Sequence, residues 1–199
     1  QSSKLTRALE NLGATIFEIP TIEIMPPDDE YTSLDSKIRE LKKFDWIIFT
    51  SQNGVEKFFD RLYKAGLDAR ALCKVAVIGK STAETLEKYS IRADLIPSEF
   101  IAESLLTAFE KLSIDGKRIL IPRAAVARDV LPDGLKKLGA NVEVVTAYKT
   151  ITATYADELP SADLVTFTSS STVKNFVDMF GTDTLLKIPS ASIGSVTTS

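Results

Sequence analysis

Residues 46–58, WIIFTSQNGVEKF, return near the end of the chain as residues 164–176, LVTFTSSSTVKNF. In each copy an apolar run stops at a Thr-Ser pair, Thr50-Ser51 and Thr168-Ser169. Apolar residues at helical spacing then follow, with Val55 and Phe58 answered by Val173 and Phe176. Such a pattern is a buried strand feeding a helix through a polar turn. A second block also repeats, AVIGKST at 76–82 and ASIGSVT at 191–197. A third, reading helix end, Gly, strand, occurs as LENLGATIFE at 9–18 and LKKLGANVEV at 135–144. For the copy that ends the chain, this third block lies at the chain's start. That order implies a chain that leaves one domain, builds a second whole domain, and returns to finish the first.

The remaining pattern fills in this plan. Leu5, Leu9 and Leu12 predict a helix over 1–12 that stops at Gly13, with a strand over 14–19. Residues 22–27, ending in Pro-Pro, read as an extended crossing. Asp28-Asp29-Glu30 should open a helix carrying Leu34, Ile38 and Leu41, since acids favour a helix N-terminus. Strands are expected at 46–49, 74–78, 93–96, 118–121 and 142–146, alternating with helices at 54–64, 82–89, 102–112 and 128–138. Residues 148–154 are the second crossing. Strict alternation means parallel sheets with both faces covered. The expected fold is α/β, with two doubly wound parallel-sheet domains of flavodoxin-like plan joined by a two-stranded connector. The first domain is discontinuous, 1–22 plus 151–199, and the second is 27–146, with connectors at 22–27 and 147–154. The repeat also leads one to expect about a strand more before residue 1 and a helix after residue 199.

Composition narrows the chemistry. A formal net charge of -3 with mixed signs argues against nucleic acid as a partner. No apolar run approaches the ~18 residues of a membrane span. No signal-peptide pattern is present, so a cytoplasmic location is expected. The single cysteine, Cys73, excludes an intramolecular disulfide and a Cys-cluster metal site, and reads as an inert core residue. Zero histidines exclude His-based triads and His-ligated metals.

Ligands of open parallel sheets bind beyond the carboxyl ends of the strands. Thr50-Ser51, Gly79-Lys80-Ser81-Thr82, Arg123, Thr168-Ser169-Ser170 and Gly194-Ser195, with Thr197 beyond, all follow an apolar strand. Each also precedes a helix, whose free N–H groups attract anions. These Ser and Thr residues can equally be plain helix caps, worth ~1 kcal/mol each. The two roles are compatible. Neither the lysine-bearing P-loop nor GxGxxG occurs, so nucleotide binding is weakly supported. A ligand with several carboxylates, held by backbone amides, fits the pattern best.

FTSQNGVEKF, AVIGKSTAETL, ILIPRAAVARDVLPDGLKKLGANVEVVTAYKT and FTSSSTVKNF together resemble the uroporphyrinogen-III synthase family. The resemblance spans essentially the whole chain and rests on the order and spacing of these motifs. It implies two α/β domains with a two-stranded connector, and a monomer that needs no cofactor and no metal. The implied substrate is hydroxymethylbilane, a linear tetrapyrrole, which is closed to uroporphyrinogen III with loss of water and inversion of ring D. It puts Thr50, Ser51, Gly79, Ser81 and Thr82 on one wall of a cleft, and Thr168, Ser169, Ser170 and Gly194 on the other. Arg123 would pair with a substrate carboxylate. The family's usual proline after the second Ile-Gly is Ser195 here. Tyr148 matches the tyrosine that assists departure of the hydroxyl.

The competing reading is a non-catalytic two-domain module that closes on a small polycarboxylate. A phospho-acceptor regulatory module is disfavoured, because no acidic triad stands at the strand ends.

Overall fold

The computed structural model describes residues 4–156 and 158–192. The chain divides into two units, Gln1–Glu23 with Ile151–Ser199, and Ile24–Thr150. Helix α1 (Lys4–Asn11) opens the first. The stretch 14–20, expected to contain a strand, forms none among the described residues. It runs instead alongside α1, tied by a hydrogen bond from the Thr6 hydroxyl to the Glu18 carboxylate. An alternating pattern can make a segment extended, but only a neighbouring strand makes it part of a sheet. Strand β1 (Ile22–Met25) then carries the chain across the unit boundary.

Nearly all of the second unit's regular structure follows the sequence pattern. It comprises α2 (Thr32–Arg39), β2 (Trp46–Phe49), α3 (Gln52–Lys64), β3 (Lys74–Val77), α4 (Lys80–Glu87), α5 (Ala102–Glu110), β4 (Arg118–Ala124), α6 (Val130–Lys137) and β5 (Asn141–Thr152). The sheet order is β1-β5-β4-β2-β3, and β2 pairs in parallel with both β3 and β4, as β4 does with β5. Beyond β3, the strand expected at 93–96 reduces to one parallel bridge, Ala76 with Leu95. The Asp94 carboxylate takes the Val75 N–H at 2.7 Å, and Pro97 brings no N–H to a ladder.

Residues alternate between the two faces of this sheet. Ile47, Phe49, Val75 and Val77 face α2, α3 and α4, meeting Leu34, Ile38, Phe58, Phe59 and Leu86. Trp46, Ile48, Ala76, Ile119 and Ile121 face α5 and α6, meeting Leu105, Phe109, Leu131 and Leu135. Two apolar layers therefore sandwich the sheet, and every residue of β2 is buried.

Two local departures from the pattern bear on the site. Helix α2 begins at Thr32, later than Asp28-Asp29-Glu30 led one to expect. Glu30 and Tyr31 adopt left-handed backbone, with φ of 49° and 69°, so the chain turns before it coils. Asp29 still serves the helix from outside, accepting the Ser33 N–H at 2.9 Å. In β5 the register against β4 slips by one. Arg123 pairs with Thr146, but Ala124 pairs with Tyr148, which makes Ala147 the extra residue of a β-bulge. Val145, Ala147 and Tyr148 consequently all join the cluster under α2, α3 and α4. The strand runs on without a break to Thr152, through residues expected to be a separate crossing.

In the first unit, β6 (Val165–Phe167), α7 (Ser170–Phe180), α8 (Thr182–Leu186) and β7 (Ser190–Ser192) complete the described elements. Strands β6 and β7 pair in parallel, as β2 and β3 do. The repeat extends to ring geometry. Phe49 meets Phe58 edge-on with centroids 5.2 Å apart and planes at 72°. Phe167 meets Phe176 at 5.5 Å and 79°. Strand-end ring and helix ring lock together in the same way in both units, an arrangement worth about 0.5–1.5 kcal/mol beyond burial.

Candidate active site

The carboxyl ends of β2, β3 and β4 gather the polar residues of the second unit. Ser51 is extended (φ -156°, ψ 157°) and caps α3, its Oγ accepting the Gly54 N–H at 3.1 Å. The same Oγ lies 3.0 Å from the Tyr148 hydroxyl, delivered from β5 by the bulge. Tyr148 is only 6% exposed, so its ring belongs to the core while its oxygen meets the turn. Gly54 is what lets this turn sit so close to the sheet. A Cβ there would stand 3.2 Å from both the Pro122 carbonyl oxygen and Ser51 Oγ.

The turn after β3 is built differently. Gly79 caps α4 with φ 96° and ψ 146°, backbone that side chains of L-residues rarely adopt. Ser81 is exposed and its carbonyl accepts the Thr85 hydroxyl at 2.9 Å. Thr82, in the first turn of α4, is buried at 3% exposure.

Arg123, expected to pair with a substrate carboxylate, is engaged within the protein. Its guanidinium donates to the Arg128 carbonyl at 2.9 Å and to the Asp129 carboxylate, bracing the loop between β4 and α6. A cavity of about 230 Å³ opens beside it, lined by Thr50, Ile78, Phe100, Ile101, Arg123 and Arg128 among others. Phe100 and Ile101 are large apolar residues left 56% and 44% exposed at its wall. The sequence reading passed over them; two apolar residues at the start of a helix, after Ser98-Glu99, were the available signal.

In the first unit Thr168 and Ser170 are exposed at the end of β6. Ser169 forms a complete capping box with Thr172, accepting its N–H at 3.4 Å while Thr172 Oγ1 accepts the Ser169 N–H at 3.3 Å. Ser169 Oγ also lies 3.0 Å from Ser171 Oγ. Gly194, Ser195 and Thr197 lie outside the described residues. Among the described residues no cluster of acidic, Cys or His side chains could hold a metal ion. Cys73 is half-buried, and burial pushes its thiol up to about 11.

The second unit thus offers a hydroxyl pair, a glycine turn and an apolar-walled cavity at one end of a parallel sheet. Comparisons with known proteins agree on where this belongs. The family described as Uroporphyrinogen-III synthase HemD matches residues 3–199. A uroporphyrinogen-III synthase of Synechococcus elongatus is 36% identical, with 98% of this chain and 78% of that protein covered. The solved uroporphyrinogen III synthase of Thermus thermophilus superposes with a TM-score of 0.61 at 17% identity, covering 98% of this chain and 82% of that one. The uroporphyrinogen-III synthetase of Helicobacter pylori superposes with a TM-score of 0.58 at 20% identity, covering 89% and 77%. The structural likeness gives the same α/β fold, two sheet-containing domains with connecting strands. With the family match spanning nearly every residue, the chain belongs to the uroporphyrinogen-III synthase family.

Proposed function

We propose that this chain is a uroporphyrinogen-III synthase, closing hydroxymethylbilane to uroporphyrinogen III with inversion of ring D and release of water. The observation that carries the reading is the Tyr148 hydroxyl, brought by the bulge to the capped turn at Ser51 in a chain without histidine. A pyrrole nitrogen of the bilane pushes out the terminal hydroxyl, breaking the C–O bond and leaving an electrophilic azafulvene. Tyr148 gives the proton that turns the departing hydroxyl into water. The substituted carbon of ring D then attacks, and the spiro species so formed reopens and recloses with the ring inverted. The free α-carbon of ring D loses its hydrogen as the ring rearomatises, which returns a proton and balances the water.

Left in solution, the bilane closes without inversion. The enzyme's task is therefore to hold one geometry, by positioning and fixed dipoles more than by nucleophilic chemistry. Thr50, the backbone at Gly79, Ser81 and the apolar wall at Phe100 and Ile101 would hold the substrate in the second unit. Thr168 and Ser170 would do so in the first. Thr82 and Arg123 shape their turns and support these contacts from behind.

The reading includes a cytoplasmic monomer working without cofactor. It also takes both units as one doubly wound plan. In the second unit the order Leu95, β3, β2, β4, β5 grows outward in both directions from β2, as a doubly wound sheet does, though it is 3-2-1-4-5 and not the 2-1-3-4-5 of flavodoxin. The matching phenylalanine pairs extend the likeness to the first unit. The decisive assay incubates the protein with freshly generated hydroxymethylbilane, oxidises the products and resolves the isomers. Type III uroporphyrin is the expected product. Type I alone would overturn the proposal and leave a binding module in its place.

A further inference from the structure

The two copies of the capped turn differ in one respect that bears on proton transfer. In the first unit the box is closed: Ser169 and Thr172 satisfy each other, and Ser171 stands beside the Ser169 hydroxyl. In the second unit the residue facing Ser51 across the cap is Gly54, which has no side chain to return the bond. At the cap oxygen itself the neighbour also differs: Ser169 Oγ has Ser171 Oγ at 3.0 Å, and Ser51 Oγ has the Tyr148 hydroxyl at 3.0 Å.

A serine hydroxyl has one proton and two lone pairs. The Gly54 N–H takes one lone pair of Ser51. We propose that Ser51 is a positioning residue for Tyr148: its hydroxyl donates to the phenol oxygen, leaving the phenol proton free to leave with the departing hydroxyl of the substrate. This rests on Tyr148 being the proton donor of the reaction proposed above. Gly54 N–H, Ser51 O–H and Tyr148 O–H then form a directed chain starting at the N-terminus of α3, a helix of 13 residues. As the phenol gives up its proton, its oxygen becomes anionic. The Ser51 proton already points at it, and the positive end of α3 lies behind Ser51. When ring D releases its α-hydrogen as a proton, the phenolate takes it back and the chain is restored. The reverse arrangement, with the phenol donating to Ser51, would tie up the proton that has to move.

The test combines Ser51→Ala, Ser51→Thr, Tyr148→Phe and the double variant Ser51→Ala/Tyr148→Phe. Tyr148→Phe should lower kcat roughly ten- to a hundredfold, at or below the usual range for a general acid, with KM little changed. Ser51→Ala should lower kcat by roughly tenfold alone, but by less than about threefold on top of Tyr148→Phe, because both changes break one relay. Ser51→Thr keeps a hydroxyl and a helix cap, and should restore most of the rate. A 13Cζ-tyrosine spectrum, with Tyr148 assigned by its absence in Tyr148→Phe, reads the hydrogen bond without any turnover. Its resonance should move in Ser51→Ala and return toward the wild-type position in Ser51→Thr.

Equal losses from Ser51→Ala in both backgrounds, a Ser51→Thr variant as slow as Ser51→Ala, or an unmoved Tyr148 resonance would each overturn the proposal. So would a wild-type rate in Tyr148→Phe. Formation of type I alone by the wild-type protein would count instead against the reaction itself, with the tyrosine spectrum still deciding whether Ser51 holds the phenol.

Discussion

Gly79→Ala isolates a single physical effect. The ideal Cβ at this position has only one neighbour within 4 Å, Phe100 Cβ at 4.0 Å, so the methyl meets neither a clash nor a useful contact. What it meets is backbone conformation. At φ 96° and ψ 146° the residue lies close to a region that is essentially glycine-only, where a side chain costs about 1–3 kcal/mol. Alanine also restricts the unfolded chain, which returns about 0.4–1 kcal/mol. The net should be about 1–2 kcal/mol of destabilisation in the second unit. Trp46 makes this measurable, because it is the single tryptophan of the chain and is buried against Phe109 with ring centroids 5.1 Å apart. Its emission during urea unfolding reports the second unit without needing the whole chain to unfold in one step. With a slope of about 2 kcal/mol per molar urea, the midpoint should fall by roughly 0.5–1 M. Gly66→Ala is the control. Its φ of 72° is near the left-handed helical well, where the cost is of order 1–2 kcal/mol before the same offset, so its midpoint should fall less. An unchanged or raised midpoint for Gly79→Ala would refute the claim that this turn requires its dihedral angles.

Three further outcomes are expected. At Gly134 a Cβ would lie 2.4 and 2.6 Å from the two Leu106 methyls, so Gly134→Ala should overpack α5 against α6 by about 1–3 kcal/mol, less about 1 kcal/mol of helix propensity. Combining it with Leu106→Ala should remove the overpacking part, and urea midpoints that simply add would contradict the contact. The Arg61 guanidinium holds Asp35 below its ordinary 3.8, and Arg118, followed by Lys37, holds Glu143 below its ordinary 4.5. Their contribution to stability is therefore present above those values and is lost as the pH falls through the lower folded ones; Asp35→Asn should flatten the acid loss seen by Trp46, and identical pH profiles would exclude this. Cys73, with its thiol pushed up to about 11 by burial, should alkylate far more slowly at pH 8 than a free cysteine thiol; equal rates of iodoacetamide uptake would contradict its burial.

Local pattern made much of the second unit legible. Trp46 to Phe49 is apolar at every position, so the stretch could be read as a strand buried on both faces, and it is one. Phe49 and Phe58, nine positions apart, signalled a strand end and a helix face that meet, and the spacing recurs at Phe167 and Phe176. The less legible features depend on partners distant in sequence or on dihedral angles. Ser51 and Tyr148 are 97 positions apart, and nothing local to either announces the other. The partners of Arg123 were hidden too, since Asp129 and the Arg128 carbonyl come within its reach only once the loop has folded back. Asp28 to Glu30 read as the opening of a helix because acids favour that position. Left-handed φ values at Glu30 and Tyr31, two residues that normally avoid them, delay the start to Thr32.

The bulge at Ala147 gives β5 two reading frames. Up to and including it, the odd-numbered Val145 and Ala147 face the helices α2, α3 and α4; immediately after it the even-numbered Tyr148 does. An unbroken strand commits alternate residues to one face along its whole length, so core and site must share a single frame. Here they do not. Residues before the bulge can be exchanged for others of similar volume without turning the phenol, since its face is set by how many residues precede it and not by which they are. Length is the sensitive variable: one residue added between Ala147 and Tyr148 would point the phenol away from Ser51 while leaving every upstream core contact in place.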